Sequence, residues 1–371
     1  MSAVSSTEVL RRVAAYGLPG RGGPITAQPI DSREWAALMA SVHSQRLIGH
    51  LNMAAEAGDL PVSGTQRAEV AESHLESCAR ALQLDRRLLE LTDHLESKDI
   101  EVAVLKGTAN AHLLYPDPSA RVFGDNDLLL RTEQFEAAVQ ALTDLGYVRS
   151  VAPPQREFAR RFAKGATMKG PQGDEADLHR NLVFGTFGFV IDLDELFDSS
   201  VEFELGGRRL RALGPETRLL HACYHAAIGD PDPRYSSVRD VAQMLVFGTH
   251  DDGRVLELAH QWRSTAVLAR AIRLCRDHLG VLVEGPLVRA VAGYEPTRRE
   301  QRAIASYVGD NRHYAAKVAA SLPFLEGVGE KIAFLRASAL PSEEFVESRG
   351  GEPRSAWIRR GIRSLFQGGL R

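Results

Sequence analysis

The chain has 371 residues, 44% of them hydrophobic and 25% charged, with a formal net charge of −3. That length suits two or three domains, each with its own core, and the charge balance argues against general affinity for a nucleic-acid backbone, favouring a small-molecule or peptide substrate. Cys78, Cys223 and Cys275 have no metal-ligand spacing, no apolar run approaches the roughly 18 residues of a membrane span, and the N-terminus lacks a basic-then-apolar signal pattern, so a cytoplasmic protein with reduced thiols is expected.

Residues 6–16 have the pattern of a short helix, stopped by the glycines from Gly17 to Gly23. Asp31-Ser32-Arg33-Glu34 has capping-box character, and Trp35, Leu38, Met39, Val42 and Leu47 recur at helical spacing, which predicts one or two helices over 32–57. A long helix is predicted over 64–97, with Val70, Leu75, Cys78, Leu82, Leu88, Leu91 and Leu95 as its apolar stripe. Residues 1–95 therefore read as an N-terminal helical region.

Residues 96–213 have a different texture. Ile100 to Leu105 is short, β-branched and bounded by Gly107, as a buried strand would be. A helix follows, with Thr108 as its expected cap, until Tyr115-Pro116-Asp117-Pro118 stops it. A second strand is predicted over 127–131, an amphipathic helix over 133–145 ended by Gly146, and a third strand over 147–151. Segments 166–169 and 176–183 flank Pro171-Gln172-Gly173-Asp174 as a hairpin, and 201–205 and 208–212 form another around Gly206-Gly207. Pro215-Glu216 then opens a helical region over 214–340, and 341–371 reads as a basic tail. The expected fold is α+β: a small mixed-sheet core flanked by N-terminal and C-terminal helical regions.

The chemistry concentrates in the core. Asp125 and Asp127, one residue apart at the start of a strand, project to the same side and can share one metal-filled space. Such paired carboxylates suit Mg²⁺, which takes a few protein oxygens and completes its shell with water and phosphate. Upstream, the Gly107-Thr108 strand-to-helix junction would aim backbone N–H groups at an anion, with Lys106 neutralising phosphate and Arg121 in reach of the same site. Asp177 is the choice for a third carboxylate, ahead of Glu175, Asp192 and Asp194. It shares a polar face with His179 in Ala176-Asp177-Leu178-His179. Asn126 would point to the core side with Leu128 and Leu130, where an unpartnered amide costs on the order of 1 to 3 kcal/mol.

Leu105-Lys106-Gly107, Leu114-Tyr115-Pro116, Arg121, Asp125-Asn126-Asp127-Leu128-Leu129-Leu130 and Leu145-Gly146-Tyr147 together resemble the uncharacterised nucleotidyltransferase family, within the DNA polymerase β-like nucleotidyltransferase superfamily. That family often occurs beside bacterial natural-product and modified-peptide biosynthesis genes. The resemblance extends to Asp177-Leu178-His179, to Leu219-Leu220-His221-Ala222-Cys223-Tyr224-His225 and to Arg239-Asp240-Val241, covering about residues 30 to 280. It implies Mg²⁺-dependent transfer of a nucleoside monophosphate from a nucleoside triphosphate, with Asp125, Asp127 and Asp177 on the metal and Gly107 and Thr108 beside the triphosphate. Lys106-Gly107-Thr108 departs from the superfamily's Gly-Ser turn, and Asn126 replaces the usual apolar residue. These departures motivate two alternatives: a partner- or peptide-recognition module that keeps the fold without the chemistry, and transfer of another group from a phosphorylated donor.

Three further features stand out. His221 and His225 have the spacing of two metal ligands on a helix, but no third ligand is evident, so packing near Asp240 along the cleft is expected. Arg234 and Arg239 are candidates for substrate phosphate. Residues 354–366 carry positive charge only and read as a terminal helix or tail.

Overall fold

The computed structural model describes residues 6–152, 162–281, 284–309, 314–325, 327–339, 342, 345–346, 355–356 and 359. Ser6–Ala15 (α1), Ser32–Ser44 (α2) and Ile48–Glu56 (α3) are the first helices. α2 starts where the Asp31 carboxylate accepts from the backbone N–H groups of Arg33 and Glu34, two of the donors that a helix start leaves unpaired. Gly64–Glu96 (α4) is a single 33-residue helix opened by a reciprocal capping box between Ser63 and Gln66.

The buried stripe of α4 differs from the expected one. Leu84, Leu88, Leu91 and Leu95 are buried, whereas Leu75 and Leu82 are 70% and 69% exposed. Leu82 and Leu84 are two residues apart, about 200° around a helix of 3.6 residues per turn, so they cannot face one core.

Among the described residues seven strands form one sheet: Val102–Leu105 (β1), Asn126–Leu130 (β2), Val148–Arg149 (β3), Gly165–Lys169 (β4), Glu175–His179 (β5), Val201–Leu205 (β6) and Arg208–Ala212 (β7), in the spatial order β3-β4-β5-β2-β1-β7-β6. β2 is antiparallel to β1 and parallel to β5, and β1 is parallel to β7. The β4–β5 and β6–β7 pairs are the two expected hairpins. Gly206 and Gly207 take φ of 56° and 79°, the positive values that a tight two-residue hairpin turn demands. β3 is shorter than expected, and β5 stops at His179. Beyond it Asn181 donates to the Gly188 carbonyl instead of joining the ladder.

β1 and β2 are buried along their whole length, which is why their sequences run apolar instead of alternating. Val102, Val104, Leu128 and Leu130 pack on one face with α4 and Phe135–Asp144 (α6). Ala103, Leu105 and Leu129 on the other face join a cluster shared with the N-terminal and C-terminal helices. Between β1 and β2 lies Gly107–Leu114 (α5). Thr108 does not cap it: Lys106 is the cap residue, and the Thr108 hydroxyl bonds Asp85 at 3.2 Å.

After the sheet come Leu193–Asp198 (α7), which precedes β6, then Pro215–Tyr224 (α8), Tyr235–Phe247 (α9), Asp252–Gln261 (α10), Thr265–Leu279 (α11), Pro286–Ala292 (α12), Arg298–Val308 (α13), Tyr314–Ser321 (α14) and Val328–Ala339 (α15). α8 has its proline in the first turn and continues into a π-helical turn, His225–Gly229. The architecture is the mixed α+β arrangement expected. The basic segment 354–366 lies almost wholly outside the described residues. No described helix is long and apolar enough to cross a membrane.

One backbone approach is close enough to test. Gly165 opens β4 opposite His179, and a Cβ there would stand 1.9 Å from the Leu178 carbonyl oxygen. Gly165→Ala is expected to destabilise the chain by about 1 to 3 kcal/mol through forced strand displacement. Urea unfolding followed by tryptophan fluorescence measures this, and unchanged stability would contradict the packing described.

Candidate active site

The site begins with the turn after β1. Lys106 adopts φ 46° and ψ −118°, a left-handed conformation that a non-glycine residue holds only at a cost of roughly 1 to 3 kcal/mol. This directs its ammonium to Asp127, with Nζ 2.5 Å from Oδ1. The same oxygen lies 2.7 Å from His179 Nε2. β2 and β5 run parallel with Asp127 beside Asp177 and Leu129 beside His179, so period-two alternation puts both carboxylates and the imidazole on one face. Ligand atoms of Asp127, Asp177 and His179 lie within 4.8 Å of one another, a group able to hold a metal ion.

Electrostatics divides the labour. Burial would raise the Asp127 carboxyl, but Lys106 and His179 outweigh it and hold the group well below the usual carboxylate range. Burial and the neighbouring Lys164 push His179 down to about 4. A neutral imidazole that donates from Nε2 to Asp127 leaves Nδ1 as a bare acceptor, and Nδ1 has no partner. The Asp177 carboxyl shifts upward, first through burial and then through the like charges of Asp127 and Asp125, against a hydrogen bond from Thr167. Lys164, just before β4, is lowered to about 8 by burial and by Lys106.

These groups line a cleft of about 420 Å³ between the sheet and the helices, within the usual range of small-molecule sites, about 300 to 1,000 Å³. Lys106, Gly107, Arg121, Asp125, Asp127 and Asp177 all line it, as do His221 and His225. Asp125 precedes β2 and is half-buried. The tight cluster is therefore Asp127 with Asp177 and His179, while Asp125 faces the same space among Arg46 and Arg121. Thr108 and His179 are buried behind the lining residues. Asn126 lies in the core with one partner, its Nδ2 donating to the Leu84 carbonyl at 3.0 Å, and its Oδ1 has none.

The three arginines read as candidates for phosphate are held differently. Arg121 lies against Asp240, its Nε and one terminal nitrogen each 2.7 Å from a carboxylate oxygen. Asp240 also accepts from Tyr115 at 2.9 Å and Asn110 at 3.2 Å. Arg239 is buried away from the cleft and donates to the Ala14 and Tyr16 carbonyls and to Gln243, tying α1 to α9. Arg234 does line the cleft, paired with Asp230 at 3.2 Å. His221 and His225 are neighbours, ring centroids 5.0 Å apart, and belong to no metal-type cluster among the described residues.

The model of a family described as uncharacterised nucleotidyltransferase matches residues 31–280. This chain belongs to that family. The nucleotidyltransferase has no match among curated proteins. Among solved structures it is similar to a lincosamide antibiotic adenylyltransferase, LnuA, bound to lincomycin, at 16% identity and a TM-score of 0.32, over 43% of this chain and 94% of that one. It is also similar to an antigenic nucleotidyltransferase-like protein from Paracoccidioides brasiliensis, at 16% identity and a TM-score of 0.35, over 55% of this chain and 95% of that one.

Sequence reading missed Arg46, Lys164, Arg218 and Lys317, all of which line the cleft. Arg218 had a usable signal, standing three residues before His221 on the same helical face. Arg46 and Lys164 occupy connections outside any element, where no periodicity marks a direction.

Proposed function

We propose that the cleft carries out Mg²⁺-dependent transfer of a nucleoside monophosphate from a nucleoside triphosphate to a hydroxyl of a small-molecule or peptide acceptor. The observation that carries this reading is the register of Asp127 beside Asp177, with Lys106 on Asp127, at the wall of a cleft.

The donor set suits Mg²⁺. Asp127 and Asp177 offer hard oxygens, Asp125 faces the same space, and the upward shift of Asp177 comes first from burial and then from the like charges of Asp127 and Asp125, which a divalent cation offsets. Asp125, Asp127 and Asp177 would hold the ion, which supplies Lewis-acid polarisation of phosphate oxygens when bound. Lys106 and Lys164 supply positive charge to the triphosphate, and the first backbone N–H groups of α5 face it at Gly107. The acceptor oxygen attacks the α-phosphorus, the bond from that phosphorus to the bridging β-oxygen breaks, and pyrophosphate departs with the bonding electrons. Asp177 takes the hydroxyl proton as general base. Incubation with nucleotide labelled at the α-phosphate tests this: label on the acceptor with free pyrophosphate supports it, and label that stays on nucleotide while another group moves would replace it with a different transfer.

A pH dependence follows from Lys164. Its charge is lost as pH rises through about 8, so affinity for the triphosphate should fall above that point by roughly tenfold per pH unit. Lys164→Arg keeps its charge and should flatten the profile. Equilibrium binding across the alkaline range checks this, and an unchanged slope in the arginine variant would remove Lys164 from the nucleotide site.

A further inference from the structure

α8 and the π-helical turn that continues it carry three polar side chains, Arg218, His221 and His225, spaced three and four residues apart and all lining the cleft. Arg218 is 8% exposed, its Nε and one terminal nitrogen have no partner, and it makes no ion pair with any described residue. Burying an unpaired guanidinium is costly. Three other cations of the cleft are balanced: Lys106 by Asp127, Arg121 by Asp240, Arg234 by Asp230. Burial pushes the Arg218 guanidinium down to about 10, against a smaller upward effect of Glu216. His221 and His225 feel Lys106, Lys164 and Asp127. Along the chain Arg218 stands on the N-terminal side of both histidines, nearer the start of α8. His221, one turn on, offers a further unpartnered buried Nε2.

We propose that Arg218, with His221 beside it, is an anion subsite for the acceptor, so that the nucleoside monophosphate goes to a hydroxyl on an acidic small molecule bearing a carboxylate or phosphate group. The inference rests on the transferase reading above, because only a second substrate needs a second anion site. A planar guanidinium meets either oxyanion with two parallel hydrogen bonds, and neutral histidines alongside supply polarity without competing charge.

The test is titration calorimetry with acetate and with inorganic phosphate, on the protein alone and on protein saturated with Mg²⁺ and the nucleotide it binds. Wild type should bind one of the two anions in both states, and which one distinguishes a carboxylate acceptor from a phosphorylated one. Arg218→Ala should weaken that anion at least tenfold while leaving nucleotide affinity within twofold, and Arg218→Lys should recover part of the loss. Because the arginine is unpaired, the alanine variant should melt no lower than wild type. Displacement of the anion by nucleotide, or loss of nucleotide affinity in Arg218→Ala, would reassign the arginine to the donor and overturn the proposal. Failure of wild type to bind either anion would do the same. Failure of wild type to bind any nucleotide is a separate outcome, and it removes the transferase reading itself.

Discussion

Asp127→Asn is expected to lower kcat/KM by roughly 10³-fold or more while the chain stays folded. Asp127 is where the site's interactions meet: one of its oxygens serves both Lys106 and His179, and its strand neighbour is Asp177. The amide keeps the shape and loses the charge. Lys106 is then left without its counter-charge, and Asp177 loses the charged neighbour with which it would hold the ion. Steady-state kinetics together with a melting curve separate this from unfolding. Activity within tenfold of wild type in a folded variant would show that Asp127 is not at the reacting centre.

Asp240→Ala is expected to cost about 3 to 5 kcal/mol of stability, because it leaves a buried guanidinium unpaired. The Arg121–Asp240 pair is nearly inaccessible, with side chains 9% and 6% exposed, and Tyr115 and Asn110 lose the same acceptor. The pair joins the segment after α5 to α9, so it fixes the angle at which the helical wall meets the sheet. Replacing both partners, as in Arg121→Met with Asp240→Leu, should recover much of the loss, since matched apolar groups leave no orphaned charge. Denaturant unfolding of the two single variants and the double variant reads the coupling. A loss below about 1 kcal/mol in Asp240→Ala would contradict the pairing described.

What was legible in the sequence was local. Ile100 to Leu105 reads as a buried strand because it is short, β-branched and bounded by Gly107, and the strand pair around Gly206-Gly207 reads as a hairpin because only glycines take those turn angles readily. Asp177 and His179 were placed on one face by period-two alternation, and the structure puts both beside Asp127. Asn126 was placed on the core side, where it donates to Leu84 of α4.

What was not legible was long-range. Nothing near Arg121 indicates that its carboxylate partner stands 119 residues away at Asp240, so the sequence offers only the phosphate reading. Arg239 reads the same way until α1 is seen to supply its acceptors. Thr108 has the side chain of a cap, but the backbone turns two residues earlier, at Lys106 with positive φ, a conformation that residue type does not announce. Leu75 and Leu82 match a helical period without matching the buried phase, which depends on where the sheet lies.

The most direct test of the proposed activity is isothermal titration of each nucleoside triphosphate, with and without Mg²⁺, into wild type and the Asp125→Ala/Asp127→Ala double variant. The carboxylate cluster predicts that wild type binds a nucleotide only when Mg²⁺ is present and that the double variant does not bind it. Nucleotide binding that survives in the double variant, or no binding by wild type under any condition, would contradict it.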